Sequence, residues 1–183
     1  GMQIDTKNGG VFKKAIDLGD VKGKIGETNL FYIEDKRVLL VGLGDKSNLN
    51  SETIRIVSGS VCRFAITKKF KSVAIESFSN AEDLCQAMGE GLILGSYQFL
   101  DYKSDKEKNF ELESATVLHC EKETMILKGV SIGKAICAAR DLANHPGNIT
   151  TPTRLSEFAK EIAEEGGMHL KVFSRKEFTK MGM

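Results

Sequence analysis

Few residues of this chain carry chemistry that their spacing could organise. Gly42-Leu43-Gly44 follows an apolar, strand-like run and precedes a helical one, the place where backbone N–H groups can cradle a phosphate. The dinucleotide fingerprint needs a third glycine at position 47, which is Ser47, and no Walker A lysine pattern follows. A tight strand-to-helix turn is therefore favoured over phosphate binding. His119-Cys120 could supply metal ligands, but neighbours on a strand point to opposite faces, and no second pair stands at ligand spacing. His145 and His169 are isolated and read as structural or exposed. Without a G-x-S-x-G elbow, or a cysteine paired with a recognisable base, no triad can be assembled. Nothing in the spacing brings two carboxylates together. The expectation is that this chain holds no catalytic, metal-ligating or cofactor-binding residue of its own.

Composition narrows the classes further. The 183 residues carry 26 Lys plus Arg against 25 Asp plus Glu, a net charge of +1, and are 41% hydrophobic. That is a globular balance rather than a disordered one, long enough for one core or one core with an appendage. Neutral charge gives no footprint for nucleic acid or an anionic membrane. Cys62, Cys85, Cys120 and Cys137 form no CxxC pair or disulfide framework and read as small apolar core residues. No apolar run approaches the ~18 residues of a membrane span, and no signal-peptide core is visible, so the chain reads as cytoplasmic. Gly1 ahead of Met2 reads as a residue left by tag cleavage. Ser174-Arg175-Lys176-Glu177 has capping-box form with only six residues after it, so the chain is expected to stop inside something larger.

The elements that must position these residues alternate. Thr28 to Ile33 and Val38 to Leu43 are strand-like runs around the polar Glu34 to Arg37, a hairpin or two neighbouring strands, the second expected to be covered on both faces. Asn50 or Ser51 caps a helix to about Thr67, with Ile54, Val57, Val61, Cys62 and Ala65 inward. Val73 to Ser77 is a strand. Asn80 is expected to cap a helix from Ala81 to about Phe99, whose Gly89, Gly91 and Gly95 read as close packing of helix on sheet. The mixed-charge stretch Tyr102 to Ser114 reads as a solvated loop and Ala115 to Cys120 as a strand. Thr124 opens a long helix to about Ala143, stopped by Asn144-His145-Pro146-Gly147-Asn148. Thr153 is expected to cap a helix with Leu155, Phe158, Ala159, Ile162 and Ala163 inward and Gly166-Gly167 as its stop, before a strand from His169 to Phe173. The pattern is α/β with a mainly parallel or mixed central sheet.

One segment adds what the spacing does not. Arg140, Leu142, Asn144, Pro146, Asn148, Thr151 and Pro152 stand in the register Arg-x-Leu-x-Asn-x-Pro-x-Asn followed by Thr-Pro. This closely resembles the junction motif of the leucyl aminopeptidase family, the cytosol aminopeptidases. Val41-Gly42-Leu43-Gly44, Gly95 to Phe99 and Tyr102-Lys103-Ser104 are similar to earlier family segments, so the resemblance runs along essentially the whole chain.

The resemblance implies a macro-like three-layer N-terminal domain over residues 2–123, a linking helix and junction over 124–150, and a truncated start of the catalytic domain over 151–183. It implies that a full-length member would hold two divalent metals (Zn, Mn or Mg) and release N-terminal amino acids from peptides. It also implies homo-oligomers, hexamers in the family, and a non-catalytic role in assembly and substrate access for the portion present. The metal and catalytic motifs lie downstream of the junction, so no ligand is carried over to this chain. The missing catalytic domain is its implied partner, and without it the piece carrying Leu155, Phe158, Ile162 and Val172 is expected to dock on a neighbouring molecule or fray. The alternative is a stand-alone macro-like module binding a nucleotide, ADP-ribose or nucleic acid, with the GLG turn as its one suitable feature.

Overall fold

The computed structural model describes residues 9–104 and 110–183. Part of the loop expected over Tyr102 to Ser114 lies outside the described residues. Val11–Asp17 (α1) is a seven-residue helix that periodicity alone does not announce. Its buried Phe12 meets Phe31 edge-on at 5.0 Å between ring centroids. Thr28–Ile33 (β1) and Lys36–Val41 (β2) pair antiparallel from Thr28↔Val41 to Ile33↔Lys36. The tight turn between them puts Glu34 at φ 51°, the positive φ that matches the twist of a hairpin. β2 is half-buried at most, not covered on both faces as its apolar run suggested.

Ser51–Thr67 (α2) begins where the Asn50 side chain accepts the Thr53 N–H at 3.0 Å. All five expected core residues of α2 are buried, Ile54, Val57 and Ala65 completely. The helix packs on β1, β2 and Ser72–Glu76 (β3). Glu82–Ser96 (α3) follows, then Ser114–Leu118 (β4), which pairs parallel with β3 from Ser72↔Ser114 to Glu76↔Leu118. Ile54, Val61, Cys62, Ile75, Cys85, Met88, Leu92 and Ile126 meet in one cluster. The fold is mixed α/β, and among the described residues its strands form two two-stranded sheets, one antiparallel and one parallel.

The α3 glycines serve a different contact from the helix-on-sheet one expected. A Cβ on Gly91 would stand 2.4 Å from the Arg55 carbonyl oxygen, and one on Gly95 only 2.3 Å from Gly59 Cα, both on α2. A Cβ on Gly89 would stand 2.2 Å from the carbonyl of Ile126 in Glu123–Asn144 (α4), and one on Gly129 of α4 stands 2.0 Å from that of Gln86. The helices approach backbone to backbone on two sides of α3. Asn80 does not cap α3: its side chain accepts from the Glu121 N–H at 3.3 Å, and Ala81 takes the N-cap position without a side-chain bond. α3 ends at Ser96 because Tyr97 turns extended.

The chain divides into two compact units, Gly1–Ala138 and Ala139–Met183. In the second, Pro152–Glu165 (α5) is capped by Thr151, not Thr153. Thr151 Oγ1 accepts the Arg154 N–H at 3.2 Å, and Pro152 occupies the first helical position, where its missing N–H and fixed φ suit the helix. Gly166-Gly167 ends α5 as expected: Gly167 sits at φ 61°, and the Met168 N–H reaches the Ala163 carbonyl at 2.8 Å. His169 to Phe173 forms no strand ladder among the described residues, since alternation makes a strand only where a second strand accepts its backbone groups. Arg175–Lys180 (α6) starts with the expected capping box, Glu177 accepting from the Ser174 N–H at 2.7 Å. Of the five α5 residues expected inward, Ala163 is buried, Phe158 and Ala159 are half-buried, and Leu155 and Ile162 are exposed. Among the described residues no helix is long and apolar enough to cross a membrane.

Candidate functional site

The junction motif is built from a helix exit, one turn and a helix entry. Arg140, Leu142 and Asn144 occupy the last turns of α4. The Leu142 carbonyl, which the helix leaves without an intrahelical partner, accepts the Thr150 hydroxyl at 2.9 Å. The Pro146 carbonyl accepts the Ile149 and Thr150 N–H groups at 2.9 and 3.0 Å. Thr151 and Pro152 then start α5 as described above, and Asn148 stands exposed in the turn. Leu142, Pro146 and Pro152 thus act through backbone geometry and Thr151 through its capping hydroxyl: they stop one helix, reverse the chain and begin the next.

In the Gly42-Leu43-Gly44 turn both glycine amides are committed. The Gly42 N–H donates to the Glu27 carbonyl at 2.8 Å and the Gly44 N–H to the Gly23 carbonyl at 2.9 Å. Gly44 adopts φ 72°, and a Cβ on Gly42 would lie 2.1 Å from the Lys24 carbonyl oxygen, so both positions need glycine for the close approach of the 23–26 loop. Asp45 accepts from the Ser47 N–H and hydroxyl, which hold its carboxyl below the usual range. A phosphate would find two donors already spent and a carboxylate beside them.

Among the described residues, charge enters the interior at one place. Glu90, buried on α3, accepts from Arg55 Nε of α2 at 2.8 Å and from Gln86 Nε2 at 2.8 Å. Burial pulls the Arg55 pKa down, but the Glu90 and Glu52 carboxylates outweigh it and hold the guanidinium above its ordinary range. Both Glu90 oxygens are satisfied, so the group joins two helices rather than offering an acid or base.

A cavity of about 770 Å³ lies along β4, lined by Val117, Leu92 of α3, and Ile126 and Val130 of α4, with His119 and Cys120 among its polar members. His119 does not continue the strand: it sits at φ 53°, beyond the end of β4, and its Nδ1 lies 2.9 Å from Glu76 Oε2 at the surface. The opposite-faces argument for His119 and Cys120 therefore does not apply. Cys120 instead reaches inward, its thiol donating to Cys85 Sγ at 3.8 Å. Burial, with the Cys120 contact, pushes the Cys85 thiol up to about 11, and burial pushes Cys62 equally high. Burial therefore keeps either from being the first thiol to react near neutral pH. Among the described residues no three His, Cys, Asp or Glu side chains stand close enough to hold a metal ion. Nothing in the sequence signals the Cys85–Cys120 approach or the cavity, because both arise from residues far apart along the chain.

Comparison with known proteins supplies what the geometry leaves open. Residues 1–106 match the family described as "Cytosol aminopeptidase family, N-terminal domain". A protein of Alkaliphilus metalliredigens named "Probable cytosol aminopeptidase" is 30% identical, over 98% of this chain and 39% of its own length. The fold superposes on a tomato leucine aminopeptidase variant with a TM-score of 0.84 at 22% identity, covering 99% of this chain and 38% of that one. It also superposes on the bottromycin maturation enzyme BotP in complex with Mn, with a TM-score of 0.79 at 22% identity over 92% of this chain and 36% of that one. The chain spans about two fifths of the length of the curated relatives it matches.

Proposed function

From the premise that the chain belongs to the cytosol aminopeptidase family, we propose that it is the non-catalytic N-terminal portion of a metal-dependent aminopeptidase. The observation that carries this reading is coverage: 98% of the chain aligns with 39% of a relative's length, leaving most of that relative unmatched. On this reading residues 2–123 are the N-terminal domain, 124–150 the linking helix and junction, and 151–183 the opening of the catalytic domain. The exposed Leu155 and Ile162 of α5 and the unpaired run from His169 to Phe173 support it, being surfaces that further strands would cover.

Two divalent metals would activate water and polarise the peptide carbonyl in the full-length protein. The residues described here do not assemble a set that fits them, so we assign the metal site and the catalytic groups to the remaining length. The portion present serves assembly of a homo-oligomer, a hexamer on the family's pattern, and access of peptide substrates in the cytoplasm. The second reading, a nucleotide or ADP-ribose module, is opposed by the spent Gly42 and Gly44 amides.

The test is hydrolysis of an aminoacyl p-nitroanilide by the purified chain with added Mn or Zn. No turnover is expected. Activity that follows the pure polypeptide through a second purification overturns the reading.

A further inference from the structure

Cys85 and Cys120 come from separate elements, one in the second turn of α3 and the other just beyond β4, yet their sulfurs stand 3.8 Å apart. Two further contacts join the same segments: Asn80 Oδ1 to the Glu121 N–H at 3.3 Å, and Glu82 to Lys122 Nζ at 3.3 Å. These contacts tie the two segments together beside the thiols, and a bond of about 2.0 Å requires the sulfurs to close the remaining gap. Their surroundings differ. Cys85 is 1% exposed and donates to the Ser79 carbonyl at 3.2 Å, whereas Cys120 is half-buried and lines the cavity along β4. A small molecule entering that cavity meets Cys120 first and finds Cys85 directly behind it.

We propose that Cys85 and Cys120 form a reversible intramolecular disulfide, driven by a small hydroperoxide that enters through the β4 cavity. Cys120, as its thiolate, attacks the outer oxygen of the hydroperoxide ROOH. An S–O bond forms, the O–O bond breaks, and RO⁻ leaves to be protonated to ROH, giving the sulfenic acid of Cys120. Cys85 then attacks that sulfur. The S–S bond forms, and hydroxide leaves with the Cys85 thiol proton as water. The two thiols lose two electrons and the peroxide gains them; two equivalents of a glutathione-type thiol reverse the bond by exchange. Cys120 is the reacting residue because the cavity reaches it. Cys85 is the resolving one, and its burial keeps it from reacting first. The consequence is a covalent link between α3 and the β4-to-α4 connection beside the cavity.

The experiment uses the whole chain and hydrogen peroxide, with peptide mapping under non-reducing conditions. The expected product is a monomer lighter by two hydrogen atoms, ~2 Da, whose Cys85 and Cys120 peptides are joined and separate again on reduction. In Cys85→Ser, dimedone is expected to label Cys120; in Cys120→Ser, Cys85 is expected to stay reduced over the time in which the unsubstituted chain closes its bond. The unsubstituted chain decides the matter even if a variant fails to fold, because the rate of bond formation must then be independent of protein concentration. A bond through Cys62 or Cys137, a bond between chains, or sulfinic acid at Cys120 beside a free Cys85 thiol overturns the proposal.

Discussion

α2 and α5 carry the same kind of apolar stripe and meet opposite fates. In α2 the stripe is sealed: Ile54 and Val57 are fully buried, and Gly59 lets α3 approach to backbone contact. In α5 the more strongly amphipathic sequence leaves Leu155 45% and Ile162 43% exposed, with Ala163 alone buried. Both helices are well begun, one by Asn50 and one by Thr151. Caps and periodicity therefore decide that a helix forms, and a facing element decides whether it is held.

The sharpest break of that contrast is at Gly95. Gly95→Val places a branched side chain where even a Cβ meets α2 backbone at 2.3 Å. It is expected to lower stability by about 3 kcal/mol or more, enough to unfold the first unit in urea denaturation followed by circular dichroism. A matched pair comes next. Ile54→Ala on α2 is expected to cost about 2–5 kcal/mol through the cavity it leaves, while Ile162→Ala on α5 changes the unfolding free energy from the same urea titration by less than about 0.5 kcal/mol. Equal losses at the two positions would show that α5 is covered in solution.

Smaller still is Thr151→Ala, which removes the α5 cap and is expected to cost about 1 kcal/mol of local stability. Hydrogen exchange should register it at Arg154 and Leu155 and leave α2 unchanged. The smallest effect is a pH dependence in α6. The Ser174 hydroxyl and N–H hold the Glu177 carboxyl below its ordinary value of 4.5. A lowered carboxylate pKa stabilises the helix start above about pH 4.5 and ceases to as pH falls through the folded value. Amide shifts of residues 175–178 should therefore move on acidification; unchanged shifts down to pH 3 would contradict the cap.

These two regions also show what was legible in the residues. The α2 core could be read almost residue by residue, because a stripe at helical spacing names its own buried face. The partner of the α3 glycines could not, since a glycine records that something comes close but not whether it is helix or sheet. Asn80 and Thr153 were plausible caps displaced by one local choice each: Asn80 bonds to Glu121, and Pro152 makes Thr151 the helix start. His169 to Phe173 alternates as a strand does but has no ladder, which no pattern within five residues can reveal. At the junction the residues could be recognised only by resemblance. Leu142 and Pro146 work through their backbone carbonyls and Thr151 as an ordinary helix cap, so none of these carries a side chain that announces chemistry.

The parallel pairing of β3 with β4 bears on how the chain comes off the ribosome. β1 and β2 are neighbours and can close as soon as Val41 emerges. β3, with Val73 and Ile75, must wait until α3 and then β4 have been made. At roughly 5–20 residues per second, that interval lasts a few seconds. During it an apolar strand stands with both edges open, the state in which nascent chains are most prone to pair with one another. The α3 crossover therefore sets how long β3 waits for the strand that pairs with it.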